Sequence, residues 1–242
     1  MSAKKASARQ RAEAERLEQA RRARQRERML RFGISGVVLL VVVVVAIVLL
    51  RPDRPEGTGA VPEAATADGT GVAVGDASAP VTIDYWLDFQ CPACGEFEAE
   101  NGGVLTEIAA DGTAQVIYHP AAFLGEESER AANAFGCAAD AGRPAEYKAE
   151  LFAHQPEEGA GGYTVDELVA HGEAAGITSA QFESCVREGT YSDWGATVLD
   201  AMREHDIEST PTVMLNGEPL EDPAGMSAEE FRAAVDNAVT SS

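Results

Sequence analysis

Residues 32 to 50 form an uninterrupted apolar run, FGISGVVLLVVVVVAIVLL, that contains no charged side chain. At about 1.5 Å of rise per helical residue the run would span roughly 28 Å, which is close to the hydrocarbon thickness of a bilayer. It therefore predicts a single transmembrane helix. A cleaved signal peptide is the alternative, but Leu50-Arg51-Pro52-Asp53 offers no small-residue cleavage site and the preceding segment is long.

Charge is distributed unequally on the two sides of this run. Residues 1 to 31 carry eleven Lys or Arg and four Glu, a net of +7. Residues from 52 onward carry seven Lys or Arg and thirty-six Asp or Glu, a net of −29. Because basic flanks stay on the cytoplasmic side, we expect residues 1 to 31 in the cytoplasm and the acidic part outside the cell membrane. The acidity also excludes a nucleic-acid-binding protein, which needs basic groups to neutralise phosphates.

The rest of the chain divides into a linker and one globular domain. Residues 51 to 71 contain Pro and Gly and little to bury, which predicts a flexible linker. Residues 72 to 242 have a globular pattern. Within them the sequence predicts strands at 81 to 89, 115 to 118 and 212 to 215, and helices almost throughout 126 to 207.

Two short motifs near the C-terminus predict a turn and a helix start. Asn216-Gly217 follows the last predicted strand and indicates a tight hairpin turn. Ser227, with Glu230 three residues later, predicts a capping box at the start of a final helix. That helix would bury Phe231 and Val235.

Cys91-Pro92-Ala93-Cys94 lies between a predicted strand and a predicted helix. A thiol at a helix N-terminus is close to unpaired N–H groups and the positive end of the helix dipole, which stabilise the thiolate and lower its pKa. Cys91 is then the candidate attacking nucleophile. Cys94, one turn into the helix, is the candidate that resolves a mixed disulfide.

Two other interpretations of this pair stay open. A purely structural disulfide is one of them. A structural zinc site is the other, but it needs two more ligands, and the remaining cysteines are isolated from each other. The histidines at 154, 171 and 205 have no partners at metal-ligand spacing, so we predict no metal site.

Three carboxylates lie near the cysteine pair in sequence: Asp84, Asp88 and Glu98. A carboxylate there could relay a proton from Cys94 or tune Cys91. We favour plain surface charge for each of the three. His119 could approach the pair across the sheet, although an exposed position is the favoured interpretation.

The stretch GDASAPVTIDYWLDFQCPACGEFE, the long helical segment, and Ser209-Thr210-Pro211-Thr212 before a strand together resemble the DsbA-like branch of the thioredoxin superfamily. Within that branch, the chain looks like the membrane-anchored extracytoplasmic proteins of actinobacteria. The resemblance covers roughly residues 72 to 240. It implies an α/β fold, with a thioredoxin-like core and an inserted helical domain at about 126 to 207, preceded by the single transmembrane helix.

The resemblance also implies roles for individual residues. It places Pro211 in a cis peptide facing Cys91, with Thr210 offering backbone hydrogen bonds to a substrate chain. A trans proline at a sheet edge is the alternative. Cys137 and Cys185 fall inside the insertion and are candidates for a structural disulfide. The alternative is two buried free thiols.

The resemblance implies an extracytoplasmic protein thiol-disulfide oxidoreductase without organic cofactor or metal. We expect it to introduce disulfides into unfolded exported proteins with free thiols, and to be reoxidised by a membrane oxidase such as a vitamin K epoxide reductase-like protein. A reductase or isomerase of the same fold is the alternative, because Pro92-Ala93 is neither the Gly-Pro of thioredoxins nor the Pro-His of many DsbA proteins. A non-catalytic membrane-tethered chaperone or binding module is a third.

Overall fold

A computed structural model describes residues 59 to 241 of the chain. The predicted cytoplasmic segment, the predicted transmembrane helix and the first residues of the predicted linker lie outside the described residues. Among residues 59 to 241, no helix combines the length and apolar character that crossing a membrane requires.

The described residues contain strands and helices with the following bounds. The strands are β1 (Val72–Val74), β2 (Val81–Leu87), β3 (Ala114–Pro120), β4 (Thr212–Leu215) and β5 (Glu218–Pro219). The helices are α1 (Pro92–Ala110), α2 (Glu126–Asp140), α3 (Pro144–Ala153), α4 (Val165–Ala174), α5 (Ala180–Glu188), α6 (Trp194–Glu204) and α7 (Ala228–Ser241).

The strands form one mixed sheet in the order β1-β3-β2-β4-β5. β2 and β3 are parallel, and the other neighbours pair antiparallel. Parallel neighbours need a crossover connection, which α1 supplies here. The consecutive helices α2 to α6 lie between β3 and β4, so the predicted α/β core with a helical insertion agrees with the structure.

One face of the sheet forms the centre of the core. Val81, Ile83 and Tyr85 alternate along β2 and are fully buried, as expected for a strand with a period of two. Tyr85 packs edge-on against Phe97 of α1, with ring centroids 5.0 Å apart, and Phe97 packs against Phe231 of α7. These aromatic contacts fix α1, and with it the cysteine pair, against the sheet.

The turn and cap predicted near the C-terminus are both confirmed. Asn216 and Gly217 connect β4 to β5 with positive φ angles of 50° and 84°, which suit Asn and Gly in a tight hairpin. Before α7, the Ser227 hydroxyl accepts a hydrogen bond from the Glu230 N–H, and the Glu230 carboxylate accepts one from the Ser227 N–H. Phe231 and Val235 are fully buried, as predicted.

Residues 59 to 71 differ from the predicted flexible linker, because they pack on the domain. The Trp194 indole donates to the Gly69 carbonyl at 2.7 Å, and the Ala64 N–H donates to the Asp140 carboxylate at 3.1 Å. Ala65 forms an isolated bridge with Val72. This segment buries little apolar surface, and its backbone is held instead by hydrogen bonds to residues far away in sequence.

A disulfide joins Cys137 of α2 to Cys185 of α5. The structure thus contains the bond, and not the alternative of two free thiols. The closed loop has a sequence separation of 48 residues. Closing a loop of this size stabilises the folded state by about 4 kcal/mol in the chain-entropy model.

Candidate active site

The cysteine pair lies at the junction of β2 and α1. Cys91 is the N-cap residue of α1 and has extended backbone angles, and Pro92 occupies the first helical turn, where no N–H donor is needed. Cys94 follows inside the same turn. Both thiols are free in the structure.

The two cysteines differ in accessibility. Cys91 has a relative exposure of 9%, whereas Cys94 has 0%. Cys91 is therefore the more accessible of the two, whereas Cys94 presents no surface to a second protein. This arrangement suits attack at Cys91 and a purely internal role for Cys94.

The surroundings of Cys91 stabilise its thiolate. A hydrogen bond from the Cys94 thiol is the main cause that lowers the pKa of Cys91 to about 6, although burial opposes it. The Thr210 side chain and the backbone N–H groups of Cys94 and Ala93 lower the pKa further. The donors at the start of α1 thus act as expected for a helix N-terminus.

Cys94 is shifted in the opposite direction. Burial raises its pKa well above the ordinary value, and both the hydrogen bond to Cys91 and the charge of Cys91 add to this. At neutral pH the reduced pair therefore holds one thiolate at Cys91 and one thiol at Cys94.

Alkylation of Cys91 in the reduced protein should follow a titration with a midpoint near pH 6. Because only the thiolate is nucleophilic, the rate should be low below that pH, rise through it, and reach a plateau well before pH 8. Mass spectrometry after short pulses of iodoacetamide measures this rate at each pH.

The control for this titration is the Cys94→Ala variant. It removes the thiol that donates to Cys91, so its midpoint should move upward toward that of an ordinary cysteine. Cys94→Ser, which keeps a donor, should shift less. Identical midpoints in the native chain and in Cys94→Ala would contradict this account.

The loop before β4 lies beside Cys91. The Thr210-Pro211 peptide is cis, as the resemblance implied. The sulfur of Cys91 lies 3.3 Å from the Thr210 carbonyl oxygen. The backbone just before β4 is thus adjacent to the accessible sulfur, where an extended chain could pair with it.

Residues of the helical insertion hold the cysteine loop, and sequence reasoning missed them. The Gln155 amide donates to the carbonyls of Phe89 and Cys91, both at 2.9 Å. The Tyr163 hydroxyl lies 3.3 Å from the Phe89 carbonyl. Gly95 leaves room for this amide, since a Cβ at this position would overlap the Gln155 side chain where it now lies. No local pattern indicates these contacts, because Gln155 and Cys91 are 64 residues apart.

Asp88 is fully buried, so the favoured interpretation as surface charge is wrong for this residue. Its carboxylate accepts hydrogen bonds from the N–H groups of Gln90, Phe123 and Leu124 at 2.7 to 2.9 Å, and from the Ser128 hydroxyl at 2.7 Å. Burial raises the pKa of Asp88, although these hydrogen bonds counteract it. Asp88 thus anchors the loop before Cys91 to the start of the insertion.

Glu98 is buried as well, again contrary to the favoured interpretation. It lies on α1 one turn beyond Cys94, and both of its carboxylate oxygens lie 2.6 Å from the ammonium nitrogen of Lys148. The Lys148 side chain is 1% exposed. Burial lowers the pKa of Lys148, but the Glu98 carboxylate and Tyr118 outweigh it, so the net pKa is raised. This ion pair links α1 to α3.

Asp84 and His119 form a separate group. His119 is buried, stacks on Trp86 with ring centroids 4.0 Å apart, and bonds Asp84 at 3.2 Å and the Thr70 carbonyl at 3.0 Å. Both ring nitrogens are therefore engaged. The favoured exposed position of His119 is wrong, and its contacts are with the sheet and residue 70.

The family model described as thioredoxin matches residues 67 to 237. The structure of the reduced disulfide bond oxidoreductase DsbG of Mycobacterium tuberculosis is similar, with a TM-score of 0.62 and 25% identity, covering 71% of this chain and 88% of that one. The structure of reduced DsbA from the same organism has a TM-score of 0.58 and 25% sequence identity, and the match covers 71% of this chain and 98% of that one.

A curated relative is similar over a shorter stretch. The serine/threonine-protein kinase PknE of Mycobacterium tuberculosis is 32% identical over 131 residues, which is 49% of this chain and 23% of the kinase. The chain therefore spans under a quarter of that relative's length.

Proposed function

We propose that this chain, which belongs to the thioredoxin family in its DsbA-like branch, is a thiol-disulfide oxidoreductase that introduces disulfides into other proteins through Cys91 and Cys94. The observation that carries the proposal is the position of Cys91. It is the accessible cysteine at the N-terminus of α1, it has a pKa of about 6, and it lies beside the Thr210 backbone.

The proposed reaction starts from the oxidised pair. A substrate thiolate attacks the Cys91 sulfur, the Cys91–Cys94 bond breaks, and Cys94 leaves as a thiolate that takes up a proton. A second thiolate of the substrate then attacks the substrate sulfur that is bonded to Cys91, and Cys91 is released as a thiolate. The substrate loses two electrons and gains a disulfide, while the pair Cys91 and Cys94 ends up reduced.

The stabilised Cys91 thiolate supports the direction of this reaction. Each interaction that lowers the pKa of Cys91 also stabilises the reduced protein and makes Cys91 the better leaving group. A stabilised reduced form means a more oxidising disulfide, because electrons are then accepted more readily. In a reductase, by contrast, the oxidised form would be the more stabilised of the two.

The reduction potential of the Cys91–Cys94 pair tests the direction. Equilibration with glutathione buffers of known ratio, followed by trapping and mass spectrometry, gives this potential. A value near about −120 mV is expected for an oxidase, whereas a value near about −270 mV would instead establish a reductase. The Cys91→Ser/Cys94→Ser variant, measured alongside, accounts for any contribution from Cys137 and Cys185.

We also propose the location and the partners of this chain. Residues 32 to 50 would anchor it in the cell membrane with residues 1 to 31 in the cytoplasm, so that the oxidoreductase domain acts on unfolded exported proteins. A membrane oxidase of the vitamin K epoxide reductase-like class would accept the two electrons. The full chain should sediment with membranes and be released by detergent, and release by alkaline carbonate alone would argue against the anchor.

A further inference from the structure

Glu150, His154 and His171 form a cluster where two helices of the insertion end. Glu150 lies in the last turn of α3, His154 is the C-cap residue of that helix, and His171 lies in the last turn of α4. Sequence spacing did not reveal the cluster, because His171 comes from a different helix. One ligand atom from each residue can be chosen so that all three lie within 4.8 Å of one another.

The distances within the cluster suit a metal ion. Zinc binds nitrogen and oxygen ligands at about 2.0 to 2.1 Å, so two ligands of a tetrahedral ion lie about 3.3 Å apart. The Nδ1 atom of His154 lies 3.0 Å from Glu150 Oε1, and the Nδ1 atom of His171 lies 3.2 Å from the same oxygen. Small side-chain rotations would therefore bring all three ligands around one ion.

The surroundings hold two of these side chains and leave a path for an ion. The side chains of Glu150 and His171 are 21% and 17% exposed, and His154 is 58% exposed. The His171 ring packs edge-on against Tyr163, with centroids 6.5 Å apart. His171 is thus held by packing and Glu150 is mostly buried, while His154 borders solvent.

The electrostatic environment favours a cation. The C-terminal ends of α3 and α4 carry the negative ends of their helix dipoles, and both ends meet at the cluster. The net charge of −29 beyond residue 52 raises the local concentration of cations further. The cation close to Glu150 in sequence, Lys148, is paired with Glu98 and buried, so it does not compete for the cluster.

We propose that Glu150, His154 and His171 bind a zinc ion, with water in the fourth position. Two imidazole nitrogens and one carboxylate oxygen are a ligand set that suits zinc, whereas calcium and magnesium prefer oxygen ligands alone. The ion would fasten the end of α3 to the end of α4. It would lie next to Gln155, whose amide donates to the Cys91 carbonyl, so zinc occupancy would stabilise the loop that carries the cysteine pair.

Zinc binding is tested on the full chain purified without a histidine tag and with Cys91 and Cys94 oxidised. Oxidation matters because a reduced cysteine pair binds zinc through its thiolates. Competition with a chromophoric chelator measures the stoichiometry and the affinity. One zinc per chain is expected, with a thermal midpoint that rises with zinc concentration, because the ion binds the folded state.

Variants separate this site from adventitious binding. Losing a partner that only orients a ligand costs roughly 10- to 100-fold in metal affinity, so His154→Ala and His171→Ala should cost at least about 100-fold. His205→Ala is the matched control, since His205 is also a C-cap histidine but belongs to α6. It should leave the affinity unchanged. His154 is exposed, so its variant should fold normally.

Cobalt provides an independent spectroscopic readout. Bound at the same three residues, Co²⁺ should give the visible absorption of a four-coordinate ion in the native chain and in His205→Ala, and lose it in His171→Ala. Absence of stoichiometric zinc binding, equal binding by His154→Ala and His205→Ala, or displacement of zinc by equimolar calcium would each overturn the proposal.

Discussion

Replacing Cys91 with serine should reduce the oxidation of a reduced, unfolded substrate protein to its uncatalysed rate. A serine hydroxyl neither forms a disulfide nor ionises at neutral pH, and Cys94 cannot substitute because it is 0% exposed. The measurement is the loss of free substrate thiols over time with the oxidised enzyme as the sole oxidant. A Cys91→Ser chain with full activity would exclude the proposed function.

The matched variant is Cys94→Ser. It keeps the accessible Cys91 thiolate but removes the internal thiol that resolves mixed disulfides. Mixed with a substrate protein that carries a disulfide, the Cys91 thiolate of this variant attacks one sulfur of that disulfide, and the other sulfur leaves as a thiolate. We therefore expect a Cys91–substrate mixed disulfide to accumulate, visible as a higher-mass band on non-reducing gels and lost on reduction. The same band in Cys91→Ser would show that another cysteine reacts, which contradicts the difference in accessibility between the two.

Replacing Lys148 with methionine should destabilise the folded domain by about 3 to 5 kcal/mol, because it leaves the Glu98 carboxylate buried without its partner. Urea unfolding of the oxidised protein, followed by circular dichroism, measures the change in the free energy of unfolding. The loss should be large because both Glu98 oxygens lose a partner at 2.6 Å.

Two further variants identify the cause of this loss. The double variant Glu98→Met/Lys148→Met removes both charges and should recover most of the stability, since two apolar side chains of similar volume leave no buried charge or polar group unpaired. Arg143→Met is the control, because its ion pair with Glu146 is about half exposed and such pairs contribute at most about 1 kcal/mol. If Lys148→Met costs no more than Arg143→Met, the buried pair is not a determinant of stability.

Local patterns were sufficient for much of the fold. The apolar alternation of β2, the Asn216-Gly217 turn and the Ser227–Glu230 cap each depend on residues close in sequence, and each is present in the structure. The position of Cys91 at a helix N-terminus follows in the same way from a strand signal, a Cys-Pro pair and a helix signal. The boundary of the folded domain was less accurate, since residues 59 to 71 are held by distant hydrogen bonds.

The surroundings of the cysteine pair were harder to anticipate. Asp and Glu are residue types that usually lie on the surface, yet Asp88 and Glu98 are both buried. Partners outside their own elements make this possible, because N–H groups donate hydrogen bonds to Asp88 and the Lys148 ammonium pairs with Glu98. Gln155 contacts the cysteine loop across 64 residues, and His171 meets Glu150 across 21. Such contacts depend on how the helices pack against one another, and local sequence patterns do not predict this packing.

The Cys91-Pro92-Ala93-Cys94 motif, its place between a strand and a helix, and the division of the chain into a basic, an apolar and an acidic part can all be read from the amino-acid order. The packing of the folded chain was needed to see which cysteine is accessible, which groups set the two thiol pKa values, and that the insertion supplies a buried ion pair and a histidine cluster. This difference arises because propensity, capping and hydrophobic period act over a few residues. Burial and electrostatics depend instead on neighbours that the fold brings together from distant parts of the chain.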